Sequence, residues 1–254
     1  RSSSVSGVET CSQGAHVMPV ITITGLIGTG SPEIGADVAR KLGIDFVDRL
    51  ILAEAAKKLG TTVAAVAERT ERAPSLGDRF AGFVRTVLER SALAGGGADP
   101  YFGGGLDALL IREYKDFPEN GESLAEGAVD DDLIRVTAAV IREIAASGNV
   151  IIAGRGANII LANEPGILHV GLTSRKSRRV ERIMERVSLD HLEAEKYTTE
   201  NDKARSAYFQ RYFKVHPEDL RHYHMIVNTD WMDIGQVADA VIAATSIIEN
   251  NAVV

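Results

Sequence analysis

Three glycines, Gly25, Gly28 and Gly30, follow directly on the run Val20-Ile21-Thr22-Ile23-Thr24. The β-branched, mostly apolar run reads as a short buried strand. Glycines at its end let the backbone turn with φ > 0 and let its N–H groups face a ligand unobstructed by Cβ atoms. Ser31 is then expected as a helix N-cap and Pro32 as the first helical residue. Ile34, Val38 and Leu42 are spaced by four along the helix expected over 33–42. Strand, glycine turn and helix N-terminus together favour an anion, because unpaired amides and the helix dipole point the same way. Gly25, Gly28, Thr29, Gly30 and Ser31 are the expected phosphate contacts. Gly25 and Gly30 supply the GxxxxG half of a P-loop. The lysine and hydroxyl residue that complete the pattern are replaced by Ser31 and Pro32. An ordinary strand-to-helix turn is the other reading of this stretch.

Arginines offer the complementary chemistry. Arg155 stands between Gly154 and Gly156 just after the apolar run Val150-Ile151-Ile152-Ala153. The glycines would let a phosphate reach the guanidinium fork, which matches phosphate oxygens in pairs; pairing to a carboxylate at the strand end is the alternative. Arg175, Arg179, Arg182 and Arg186 recur at helical spacing, opposite Val180, Ile183 and Val187. Such a stripe is usually a solvated face. A second helix over 193–213, carrying Asp202, Arg205 and Arg211, would turn the pair into a lid over transferring phosphates. Asp48 closes a short strand read over 44–49. It could orient a metal-bound water, accept a proton, bind a sugar hydroxyl or cap the following helix.

These residues need a scaffold that gathers them. Strands expected at 20–24, 44–49, 150–153, 168–172 and 225–227 alternate with helices, including 130–147, whose first turn would hold Asp130, Asp131 and Asp132, and 234–248. Continuous apolar strands argue a parallel sheet covered on both faces. In such sheets, ligands bind beyond the carboxyl ends of the strands, where the candidate residues fall. Further helices are expected over 50–59, 61–69, 75–88 and 106–115, with a glycine-rich connector or mobile loop at 94–105. Residues 1–17 read as a disordered extension or tag. His169 reads as a core histidine, and His216, His222 and His224 lack metal-ligand spacing, so no protein metal site is expected.

The chain has 254 residues, a formal net charge of −7 and 45% hydrophobic residues. The acidic balance argues against a general nucleic-acid binder, and no apolar run reaches membrane-spanning length. A lone cysteine, Cys11, excludes an internal disulfide and fits a reducing, cytoplasmic setting.

The ordered series TITGLIGTGSPEIGADVARKLGIDFVDR, NVIIAGRGANIIL, LHVGLTSRKSRRVERIMERV, ENDKARSAYFQRYF and MIVNTD resembles the cytidylate-kinase-like family, a branch of the P-loop nucleoside monophosphate kinases. The resemblance implies an α/β, three-layer P-loop fold with a five-stranded parallel sheet. It implies one domain over 18–250, with an acceptor-side insertion at 74–127 and an arginine-bearing lid at 174–213. The implied activity is transfer of the γ-phosphoryl group of ATP, with Mg2+, to CMP, dCMP or a related small acceptor. By the same likeness Arg155 and Asp202 would bind the acceptor, and Asp48, Arg179, Arg182 and Arg205 would serve catalysis. A small-molecule nucleotide is the expected partner, with self-association left open. Ser31-Pro32 departs from the family's loop, which carries Lys or a nearby Arg. A nucleotide sensor that kept the fold and lost the chemistry is therefore the rival expectation.

Overall fold

The computed structural model describes residues 19–48 and 124–251. The extension at 1–17, the four helices expected between 50 and 115 and the glycine-rich stretch 94–105 lie outside the described residues, as does nearly all of the expected insertion.

Strand β1 (Val20–Gly25) leads through the glycine loop into α1 (Ser31–Leu42), and β2 (Asp45–Val47) follows. After the long helix α2 (Leu124–Ser147) come β3 (Val150–Ala153), the short α3 (Ala157–Ile160) and β4 (Ile167–Thr173). Two helices, α4 (Lys176–Val187) and α5 (His191–Phe213), precede β5 (Met225–Asn228) and α6 (Ile234–Asn251). The sheet order is β2-β3-β1-β4-β5, and every neighbouring pair is parallel. All five carboxyl ends therefore lie on one edge, as the alternation of elements requires.

The central strands are mostly apolar and buried on both faces, with Thr22, Thr24 and His169 the buried polar exceptions. Ile21, Ile23, Ile151 and Val170 face α1 and α6, packing on Ile34, Val38, Val237 and Val241. The alternate residues Val20, Val150 and Ile152 face the opposite layer, with Val140, Ile141 and Ile144 of α2. A third cluster joins Ile27 of the glycine loop to Val180, Ile183 and Val187 of α4 and to Ala194 and Tyr197 of α5. It seats the helix pair on the loop.

Two expectations change. Gly30, not Ser31, caps α1. Its φ of 87° lies in the left-handed region, where glycine is at ease and serine is not. Ser31 is thereby moved into the first turn. Helix α2 begins at Leu124, so Asp130–Asp132 lie inside it. The acidic triplet marks a continuing helix and not its start.

Candidate functional site: a glycine loop between two arginine-bearing flanks

The loop Gly25–Ser31 sits at the carboxyl end of β1, the middle strand. Gly25 and Gly28 are where side chains have no room. A Cβ at Gly28 would stand 2.7 Å from the Arg179 carbonyl oxygen, and one at Gly25 would stand 2.9 Å from that of Leu172. Inside the turn the Thr29 amide donates to the Leu26 carbonyl, and so does the Thr29 hydroxyl, at 2.7 Å. The Thr29 amide is thus spent within the turn, and Pro32 has none to offer an anion. The Thr29 and Ser31 hydroxyls lie 3.1 Å apart.

Of the stripe arginines, Arg179, Arg182 and Arg186 turn toward the protein, and Arg175 is exposed. Arg179 is 4% exposed. It grips Asp202 of α5 through two bonds, at 2.9 and 2.8 Å, and donates to the Ile27 carbonyl at 3.1 Å. Both Asp202 oxygens thus face Arg179. Arg182 donates to the Gly28 carbonyl at 3.2 Å, to the Thr229 hydroxyl at 2.9 Å and to the Thr229 carbonyl at 2.6 Å. These two guanidiniums brace the loop from its carbonyl side. Arg186 forms an ion pair at 3.2 Å with Glu33, in the first turn of α1. Arg175 precedes α4 and lies over the Trp231 ring at 5.3 Å.

Loop, α4 and the segment after β5 enclose a cleft of about 600 Å³. Gly28–Gly30 form its floor, Arg182 and Arg186 one wall, and Trp231 and Met232 the other. Asp230 pins that wall. Its carboxylate accepts from the Ser174 hydroxyl at 2.6 Å and from the Arg175 backbone and side chain. The Ser174 hydroxyl, and after it Arg175, hold this carboxyl below the usual carboxylate range.

The other flank gathers at the ends of β3 and β2. Gly154, Arg155 and Gly156 all have positive φ, 77°, 51° and 72°. Arginine seldom adopts that conformation, and such strain tends to cluster at functional sites. The turn is held from α5. The Tyr208 hydroxyl donates to the Arg155 carbonyl at 3.4 Å, and Phe213 fills the space a Cβ on Gly156 would need. Arg205, one helical turn before Tyr208, is buried against the Phe209 ring at 5.0 Å. Tyr223 joins this cluster. Burial raises its phenol against the opposing pull of Arg205 and Asn158. Asp48 follows β2, the strand beside β3, and is half-buried.

The structure thus brings Gly28–Ser31, Arg179, Arg182 and Asp202 together at the loop. Arg155 and Arg205 belong with the aromatic face of α5. Tyr208 and Phe209 are buried, their rings meet those of Tyr212 and Phe213, and Tyr208 and Phe213 reach across to the Arg155 turn. Asp230, Trp231 and Glu33 were not singled out from sequence. An acid directly after the polar Asn228-Thr229 was the available signal for Asp230. Trp231 and Glu33 gave none, since only the fold brings both to the cleft. Among the described residues there is no group of three or more His, Cys, Asp or Glu that could hold a metal. No described helix is long and apolar enough to cross a membrane.

A phosphate-type loop between a cleft and a guanidinium turn is the layout of a P-loop kinase. The chain matches the model of the cytidylate kinase-like family over residues 20–231, and it belongs to that family. Phosphoryl transfer is the general chemistry this membership supports. Among solved structures, an uncharacterised protein from Eubacterium ventriosum shares the fold, with a TM-score of 0.59 at 18% identity, covering 91% of this chain and 99% of that one. A gluconokinase from Sinorhizobium meliloti aligns with a TM-score of 0.47 at 14% identity, covering 92% of this chain and 95% of that one. A shikimate kinase from Bacteroides thetaiotaomicron aligns with a TM-score of 0.41 at 15% identity, covering 91% and 98%. No match to the sequence is found among curated proteins.

Proposed function

We propose that the protein transfers the γ-phosphoryl group of ATP to a nucleoside monophosphate of the CMP or dCMP type, or to a closely related small acceptor. One observation carries the reading: the glycine loop stands on the middle strand with a nucleotide-sized cleft on its β4–β5 side and the Arg155 turn on its β3 side. A cleft of about 600 Å³ falls within the range of small-molecule sites, roughly 300–1,000 Å³. Its Trp231–Met232 wall suits a base, and its glycine floor suits the phosphates. Arg155 and Arg205 are the acceptor-side cations, placed to bind its phosphate and to balance charge in transfer. Asp48 is the carboxylate that orients the acceptor or takes its proton. Arg179, Arg182 and Asp202 keep the loop's amides aimed at the transferring group.

Mg2+ arriving on nucleotide phosphates needs few protein oxygens. The Thr29 and Ser31 hydroxyls, 3.1 Å apart, are those the loop provides. The ion would draw charge from the bridging phosphate oxygens.

An ADP-release assay across nucleoside monophosphates with ATP and Mg2+ is the direct test. Turnover with CMP or dCMP is expected, and no turnover with any acceptor removes the catalytic reading. Arg155→Ala is expected to abolish acceptor binding while sparing ATP binding. Equal loss of both would overturn the role given to Arg155. Gly30-Ser31-Pro32, with no loop lysine, favours a second reading, a nucleotide sensor without catalysis. Calorimetry separates the two, because a sensor binds ATP and leaves it intact.

A further inference from the structure

A glycine loop without a lysine still has to neutralise a polyphosphate. Loss of one such electrostatic donor costs roughly 10²–10³ in rate where it has been measured, so a cation from another segment is needed. The arginines beside the loop are not equivalent in supplying it. Arg179 and Arg182 are bonded to Asp202, to Thr229 and to the loop carbonyls of Ile27 and Gly28. Arg178 is half-exposed and paired with Glu181 on its own helix. Arg186 differs. Its side chain is 18% exposed, it lines the cleft with Gly28–Gly30, and its ion pair is with Glu33 of α1. Glu33 Oε2 is buried with no hydrogen-bond partner, beside the same loop.

A carboxylate between a helix N-terminus and a guanidinium stands where an anionic ligand would stand. Both groups that hold it would hold a phosphoryl group more strongly, through more charge and more acceptor oxygens. The geometry points to Arg186 as the cation that takes the place of the missing loop lysine, with Glu33 as its exchangeable counter-ion. Incoming polyphosphate displaces the Glu33 carboxylate from Arg186 and accepts the guanidinium's hydrogen bonds in its stead. No covalent bond changes in this exchange. The inference rests on the nucleotide-binding reading of the cleft. A purely structural ion pair between α4 and α1 is the competing account, and the two differ in sign. A structural pair weakens the protein when either partner is lost. An exchanging pair makes Arg186 and Glu33 act in opposite directions on the ligand.

Trp231, the chain's only tryptophan, is 77% exposed beside the cleft, so its fluorescence reports binding directly. Wild type, Arg186→Ala, Arg186→Lys, Glu33→Gln and the double variant Arg186→Ala/Glu33→Gln are titrated with ATP, inorganic tripolyphosphate and adenosine, without and with Mg2+. Calorimetry repeats each titration, and urea unfolding checks each variant. Arg186→Ala is expected to weaken ATP and tripolyphosphate about ten- to a hundredfold, as for a hydrogen bond to a charged group, and to leave adenosine within about twofold. Arg186→Lys, which keeps the charge if the alanine variant folds poorly, is expected to restore part of the loss. Glu33→Gln is expected to tighten tripolyphosphate by about two- to fivefold, roughly the worth of a partly exposed ion pair. The double variant is expected to behave like Arg186→Ala. Unchanged ATP and tripolyphosphate affinity in Arg186→Ala overturns the inference and leaves the nucleotide reading standing. So does weaker binding in Glu33→Gln, whether general or confined to Mg2+. A wild-type protein that binds neither ATP nor tripolyphosphate overturns both.

Discussion

Gly28 has a backbone φ of 80° and faces the Arg179 carbonyl with no room for a side chain. Gly28→Ala therefore meets both a strained backbone and backbone atoms that cannot swing aside. The expected cost is about 1–3 kcal/mol, read as a lower urea midpoint, together with loss of nucleotide binding as α4 is pushed from the loop. His169 illustrates a different single-residue effect. It is buried in β4, bonded to Thr22 at 2.8 Å and stacked on His224 at 5.0 Å. Burial, and then the neighbouring His224, push its pKa down from 6.5 to about 4. Above pH 6.5 the imidazole is neutral in both folded and unfolded chains, and its contribution is complete. As pH falls from 6.5 toward 4 the unfolded chain takes up a proton that the fold refuses, so stability drops, by up to about 3 kcal/mol. His169→Asn is expected to remove this share. Urea midpoints at pH 7 and pH 5 should fall less in the variant than in wild type, and an equal fall in both would contradict the assignment. At this scale the sequence was informative for residue type and silent on partners. His169 as a core histidine was legible. That both Asp202 oxygens face Arg179, 23 positions away, was not, because the pairing depends on how two helices lie against each other.

Helices α4 and α5 act as one unit through that pair and the Ile27 cluster. Their junction is fixed by a capping box at Asp190 and Glu193, each side chain bonding the other's backbone amide. Asp190→Ala is expected to cost about 1 kcal/mol, with the unfolding midpoint as the measurement. Asp202→Asn should cost more, about 2 kcal/mol or above, because it leaves the buried Arg179 guanidinium without its counter-charge. It should also weaken nucleotide binding, since Arg179 holds the Ile27 carbonyl. Loss of stability with unaltered nucleotide affinity would separate the brace from the site. Among the described residues the five strands and the longer helices were legible from apolar periodicity and glycine stops, whereas the short α3 was not. Boundaries failed at Ser31 and at Asp130, where a required φ and a continuing helix, respectively, outweighed local propensity.

Across the molecule, parallel strands put five loops on one edge, and the middle strand divides that edge into a cleft side and an Arg155 side. Nucleotide binding to the folded form alone must raise the unfolding temperature. At ATP a hundredfold above its dissociation constant the gain is about 2.7 kcal/mol. Thermal scans with and without ATP measure it, and no shift at saturating ATP would count against the cleft as a nucleotide site. CMP added to an ATP-saturated sample should give a further rise in wild type that Arg155→Ala lacks.

The sequence by itself determined the sheet class, the glycine turn and the set of arginines available to an anion. Those follow from local rules: β-branched runs make strands, glycines permit left-handed turns, and spacing by three or four makes a helical face. Tertiary structure alone decided which arginine does what. Arg179 and Arg182 brace loop carbonyls, Arg186 faces Glu33, and Arg155 is held by α5. Those assignments depend on contacts between segments distant in the chain, and spacing along the chain carries no record of which faces will meet.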